Sequence, residues 1–182
     1  GVIHSEMPIM QEGELHGFQI WINQPAKNKM SPAQYHDFQP ETITEFETQS
    51  SGVVRLIAGH LTIDNECIQG PLTETGVAAT VADWRAMVGH ALNLTTEQYH
   101  NMMLYVYKGR IQVKDREINQ GEMAILSKGE WVELKAEKES GALIFIGEPI
   151  NEPVVHYGPF VMNSMEEIEQ AIQPQEERSV QS

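Results

Sequence analysis

His4 and Glu6 stand two residues apart in the run Gly1-Val2-Ile3-His4-Ser5-Glu6-Met7-Pro8. In an extended strand, residues two apart point to the same face, so the imidazole and the carboxylate converge while Ser5 points away. That pair is a donor set for iron(II), manganese, nickel, copper or zinc, and with open coordination positions it suits oxygen chemistry best. On spacing alone, a His-x-Glu is more often an ordinary strand pair than a metal site. His16 follows closely and could line a pocket or hydrogen-bond a metal ligand and so orient it, although a histidine satisfied by structural hydrogen bonds is the commoner case. His36, His60 and His90 lie in turn-rich polar surroundings and read as solvated, and His100 reads as a loop or rim residue. No Gly-x-Ser-x-Gly elbow, phosphate-cradling glycine loop or Cys-x-x-Cys is present.

The elements that must position these residues are short strands. Phe18-Gln19-Ile20-Trp21-Ile22 alternates, which predicts a half-buried strand with Phe18, Ile20 and Ile22 on one face. From Gln24 to Thr44 come Pro25, Pro32 and Pro40 among polar residues, a connecting segment. Beyond it, Val53 to Ala58, Val77 to Trp84, Met102 to Tyr107, Arg110 to Val113, Met123 to Leu126, Trp131 to Leu134 and Leu143 to Ile146 are apolar or β-branched runs separated by Gly, Asn, Asp and Lys. Many short strands with turns between them predict an all-β antiparallel sandwich or barrel of jelly-roll type. Lys108-Gly109 and Lys128-Gly129 mark turns, and Gly121 precedes another strand. One helix is predicted, capped by Ser164 with Glu167 answering three residues on. Met165, Ile168 and Ile172 share its apolar face, Glu166 and Glu169 face water, and Pro174 stops it. The last eight residues read as disordered, and no repeat of short fixed period is visible.

The chain has 182 residues, room for one full core with a remnant beside it. Its net charge of -14 repels a phosphate backbone, and no basic run interleaved with aromatics relieves that, so direct nucleic-acid binding is excluded. No stretch reaches the roughly 20 apolar residues of a spanning helix and no signal sequence opens the chain, which predicts a soluble, cytoplasmic protein with no membrane contact. Cys67 is the single cysteine, so neither an internal disulfide nor a thiolate zinc site can be built. The chain opens on Gly1 and not methionine, an expected sign of processing, proteolysis or truncation upstream.

Three segments carry a resemblance to a family. They are the opening run through Pro8, then His16-Gly17-Phe18-Gln19-Ile20-Trp21-Ile22-Asn23, and Gly147-Glu148-Pro149-Ile150-Asn151-Glu152-Pro153 continuing through His156-Tyr157-Gly158-Pro159-Phe160-Val161-Met162-Asn163. Each resembles a pirin signature, in pirin order and at about pirin spacing. Pirins are bicupins, two face-to-face antiparallel β-barrels of which the N-terminal one holds a metal. The resemblance implies that residues 1–44 are a remnant of the N-terminal barrel with its linker, 45–150 the complete C-terminal barrel, and 151–182 a terminal strand, short helix and tail. It also implies a half-site. His4 and Glu6 match the family's His-x-Glu ligands, Glu6 doubling as catalytic base, whereas the His-x-His pair that completes the set lies upstream of Gly1. The cofactor implied for the full-length protein is iron(II) or another divalent transition metal, and this chain alone is expected to hold none tightly. His156 falls in the C-terminal signature, where packing or hydrogen bonding is its expected task.

Laid on the general cupin pattern, the second barrel places Thr96, Gln98, Met102 and Val132 where metal ligands belong, and none of them serves a metal usefully. The resemblance implies two functions of different class. In one, the parent protein is a quercetin 2,3-dioxygenase: a flavonol meets the metal through its 3-hydroxyl and 4-carbonyl oxygens, Glu6 accepts the hydroxyl proton, and oxygen opens the ring. In the other it is a non-enzymatic, redox-sensitive binding partner of regulatory or metabolic proteins, with the second barrel and acidic surface making the contacts. The chain by itself is expected to be inactive. Its apolar Phe18, Ile20 and Ile22 predict cover by an N-terminal fragment, by self-association or by its own C-terminal helix.

Overall fold

The computed structural model describes residue 13 and residues 15–97 and 100–172, so His4, Glu6, Gln98 and Pro174 lie outside the described residues. The chain divides into two compact units, one spanning His36–Pro149 and the other drawn from residues 1–35 and 150–182.

In the larger unit twelve strands follow in order: β1 (Thr44–Thr48), β2 (Gly52–Ala58), β3 (His60–Ile63), β4 (Glu66–Gln69), β5 (Ala79–Ala86), β6 (Ala91–Thr95), β7 (Asn101–Lys108), β8 (Arg110–Val113), β9 (Arg116–Asn119), β10 (Met123–Leu126), β11 (Trp131–Ala136) and β12 (Ser140–Gly147). They form two antiparallel six-stranded sheets, ordered β1-β2-β5-β12-β7-β10 and β4-β3-β6-β11-β8-β9. Period-two alternation explains the inward faces. Val54, Leu56 and Ala58 of β2, Leu104 and Val106 of β7, and Ala142 and Ile144 of β12 meet Leu61, Ile63, Leu92, Leu94, Ile111 and Leu134 of the opposite sheet in one core. Trp84 is fully buried at its centre, with its indole N–H donating to the Ser51 carbonyl at 2.6 Å. This is the expected all-β jelly roll, but as two open sheets: among the described residues no ladder joins β1 to β4 or β10 to β9.

The two halves of this unit match in sheet position, though not throughout in chain order. Each sheet order reads the same from either end if β2, β3, β4, β5 and β6 are matched to β7, β8, β9, β12 and β11, and β1 to β10. β2 crosses to β3 at Gly59, and β7 to β8 at Gly109, both with φ near +75°. A Cβ at Gly59 would overlap the Ala79 carbonyl, and one at Gly109 the Glu139 carbonyl. The Thr80 hydroxyl donates to the His60 carbonyl at 2.8 Å and the Ser140 hydroxyl to the Arg110 carbonyl at 2.9 Å, closing the two corners alike. β3 and β4 are joined by Asp64 and Asn65, both with positive φ, the two-residue turn that suits the twist of a hairpin.

The smaller unit contains β13 (Val155–Tyr157) paired with β14 (Phe160–Met162), then α1 (Met165–Ile172). The Glu152 carboxylate accepts from the Ala26 N–H at 2.6 Å and the Asn163 amide at 3.0 Å, and Lys29 donates to Asn23 and to the Val161 carbonyl. The predicted helix cap is present. The Glu167 N–H donates to the Ser164 hydroxyl and the Ser164 N–H to the Glu167 carboxylate, each at 3.2 Å. Of the predicted apolar face only Ile168 is buried, while Met165 and Ile172 stay exposed. Phe18 to Ile22 is not a strand, and Phe18, Ile20 and Trp21 are exposed. Alternation supplies a face, but a strand also needs a neighbour to accept and donate its backbone hydrogen bonds.

Candidate functional site

Both predicted ligands, His4 and Glu6, lie outside the described residues. His16 is exposed with its ring 4.9 Å from that of Phe18. Among the described residues no group of three or more His, Cys, Asp and Glu could hold a metal. His36 and His60 are exposed as expected, but His90 is not simply solvated. It is half-buried, and its Nδ1 accepts the Met87 N–H at 3.3 Å across the turn between β5 and β6. His156 takes the structural part expected of it, bonding through Nε2 to the Gly158 carbonyl at 2.8 Å with its ring edge-on to Trp21.

The residues that occupy ligand positions in the general pattern do come together. Thr96, Met102 and Val132 line one cavity of about 300 Å³ at the open end of the sandwich, with His100 beside them. The Thr96 hydroxyl is turned to the Gly129 carbonyl at 3.0 Å. Met102, Val113 and Ile118 give the cavity an apolar floor, and Lys114, Arg116, Lys128 and Trp131 stand round it. A second cavity of about 310 Å³ shares Thr96 and His100 but is threonine-rich, including Thr62, Thr73, Thr75 and Thr80.

One polar cluster was not foreseen from the sequence. Asp83 is almost fully buried; it accepts from the Tyr107 hydroxyl at 2.6 Å and from Arg85 Nε at 2.8 Å. Burial, and after it the neighbouring Asp83 charge, pushes the Tyr107 hydroxyl up to about 12. The signal for it was Asp83 inside an otherwise apolar run, a charge that must find partners.

Two six-stranded antiparallel sheets packed as a jelly roll have the architecture of a cupin. The chain belongs to the pirin family: residues 81–180, more than half of it, match the pirin C-terminal cupin domain. It is 60% identical over 172 residues to a Vibrio cholerae protein named "Putative quercetin 2,3-dioxygenase", covering 94% of this chain and 61% of that one. It is 31% identical to mouse pirin over 179 residues, covering 94% and 59%. The chain thus spans about three-fifths of the length of these relatives. In solved structures it resembles a quercetin 2,3-dioxygenase from Acinetobacter baumannii at 32% identity and a TM-score of 0.77, over 84% of this chain and 52% of that one. No described helix is long and apolar enough to cross a membrane.

Proposed function

We propose that this chain belongs to a metal-dependent dioxygenase acting on a flavonol-like phenol, with His4 and Glu6 as two of the metal ligands and the others supplied by residues outside these 182. The observation that carries this reading is the 60% identity, extending over 94% of the chain, to the Vibrio protein. The donor set fits: a neutral imidazole and a carboxylate suit iron(II) or a similar divalent ion that keeps open positions. When bound, the metal supplies a Lewis-acidic centre for substrate and oxygen. Within the chain, His4 fixes the ion, Glu6 takes the proton of the substrate hydroxyl as general base, and His16 orients a ligand by hydrogen bonding.

The test compares this chain with a protein that also carries the N-terminal barrel. The longer protein should bind one equivalent of metal and bleach quercetin under oxygen, and His4→Ala or Glu6→Ala should remove both properties together. Glu6→Gln, which keeps the shape and loses the base, should reduce turnover by about 10²- to 10⁴-fold. This chain alone, with two ligands, should lose metal to a mild chelator, since stable sites use three or four. Metal binding that survives the double replacement would remove His4 and Glu6 from the site. Metal bound without any turnover would overturn the enzymatic reading and favour a metal-dependent binding protein.

A further inference from the structure

The cavity at the open end of the sandwich is lined by a small residue whose counterpart in the matched half is a large one. Counting back five residues from the corners Gly59 and Gly109 gives Val54 and Leu104 as equivalents. Their antiparallel partners are Phe46 in β1 and Ala124 in β10. Both pack against the core, Phe46 with a large ring and Ala124 with a single methyl that lines the cavity. The hairpin tips differ in the same asymmetric way. In the half that carries Phe46 the tip is Asp64-Asn65-Glu66; in the half that carries Ala124 it is Lys114-Asp115-Arg116.

Charge is concentrated there against the trend of the chain, which has 26 acidic and 12 basic residues. Five Lys and Arg side chains, Lys27, Lys114, Arg116, Lys128 and Lys138, have neither an ion pair nor a side-chain hydrogen bond among the described residues. Three of the five line this one cavity, where the single acid is Asp115. Lys114 and Arg116 come from the β8–β9 hairpin and Lys128 from the segment between β10 and β11. The floor beneath them is apolar, and Trp131 offers a largely exposed aromatic face at the mouth. An apolar hollow with a few convergent cations is the arrangement that fixes the orientation of an amphipathic anion, and its volume is at the lower end of the roughly 300–1,000 Å³ of small-molecule sites.

We propose that this cavity binds a small organic carboxylate, its apolar body over Met102, Val113 and Ala124 and its carboxylate among Lys114, Arg116 and Lys128. The site is independent of any metal and of the dioxygenase reading.

Calorimetric titration of this chain with 2-naphthoate, and with 2-naphthamide as the uncharged isostere, tests it. The acid should bind at one equivalent and at least about tenfold tighter than the amide, as charge-assisted hydrogen bonds require. The combined variant Lys114→Gln, Arg116→Gln, Lys128→Gln should bring the acid down to the level of the amide. Ala124→Phe, which copies the other half's own filling, should remove binding of both. If Ala124→Phe does not fold, the charge variant decides alone, because Lys114, Arg116 and Lys128 are all exposed. Absence of binding, equal affinity for acid and amide, or binding that survives Ala124→Phe in a protein with an unchanged melting curve would overturn the proposal.

Discussion

Tyr107 shows how much one hydroxyl can depend on its surroundings. Its ring lies over Gly141 so closely that a Cβ there would fall on the ring, and its hydroxyl is held by Asp83. The folded state therefore keeps the phenol protonated up to about pH 12, whereas the unfolded chain releases that proton near 10.0. Between those values the native protein holds more protons than the unfolded one, so stability contributed by Tyr107 is complete below pH 10 and is lost as pH rises towards 12. Urea unfolding measured across that window should show a decline that Tyr107→Phe flattens, at a cost of about 1 to 3 kcal/mol at neutral pH because Asp83 loses one of two donors. In a spectrophotometric titration one of the five tyrosines should ionise near pH 12, and that late step should vanish in the variant. Gly141→Ala should displace the ring and abolish the late step by a different route.

At the scale of elements, α1 carries its own start signal. Ser164→Ala removes the hydroxyl that accepts the Glu167 N–H and should cost the smaller unit about 0.5 to 2 kcal/mol, read as loss of amide protection in the first turn. Ile168→Ala, at a nearly fully buried position, should cost more, about 2 to 5 kcal/mol. This cap was legible because it is local: two side chains three residues apart satisfy each other's backbone. The apolar strands were legible for the same reason, and Arg110–Val113 and Met123–Leu126 have the bounds their residues announce. Strands missed from the sequence include polar ones at sheet edges, Thr44–Thr48, Glu66–Gln69 and Arg116–Asn119, which carry few apolar side chains, and also the short inner strands His60–Ile63 and Ala91–Thr95, whose few apolar residues make too brief a run to stand out. Phe18 to Ile22 errs the other way, since it alternates yet forms no strand. Thr96, Met102 and Val132 were placed together by a family pattern, but the cations round them come from two loops whose meeting depends on the packing of two sheets.

Within the larger unit β2 to β4 and β7 to β9 take matching places in the two sheets. The segment Gly59-His60-Leu61-Thr62-Ile63 is answered 50 residues later by Gly109-Arg110-Ile111-Gln112-Val113, a likeness of pattern more than of residues, and so invisible without the fold. Because both corner glycines have positive φ and a carbonyl where a Cβ would go, Gly59→Ala and Gly109→Ala should each destabilise by more than the ~1 to 2 kcal/mol of left-handed backbone alone. Equal losses in thermal or urea melts would show that the two corners do equal service, and a tolerated substitution at either would break the equivalence. The placement of the three tryptophans has a consequence of its own. Trp84 is sealed in the core, whereas Trp131 on the same unit is 70% exposed and Trp21 on the other is 57% exposed. Intrinsic emission should accordingly separate into a blue-shifted component that acrylamide does not reach and a red-shifted one that it quenches. Trp21→Phe should leave the first untouched and diminish the second, so that the remaining light follows the sandwich alone and the difference follows its smaller companion.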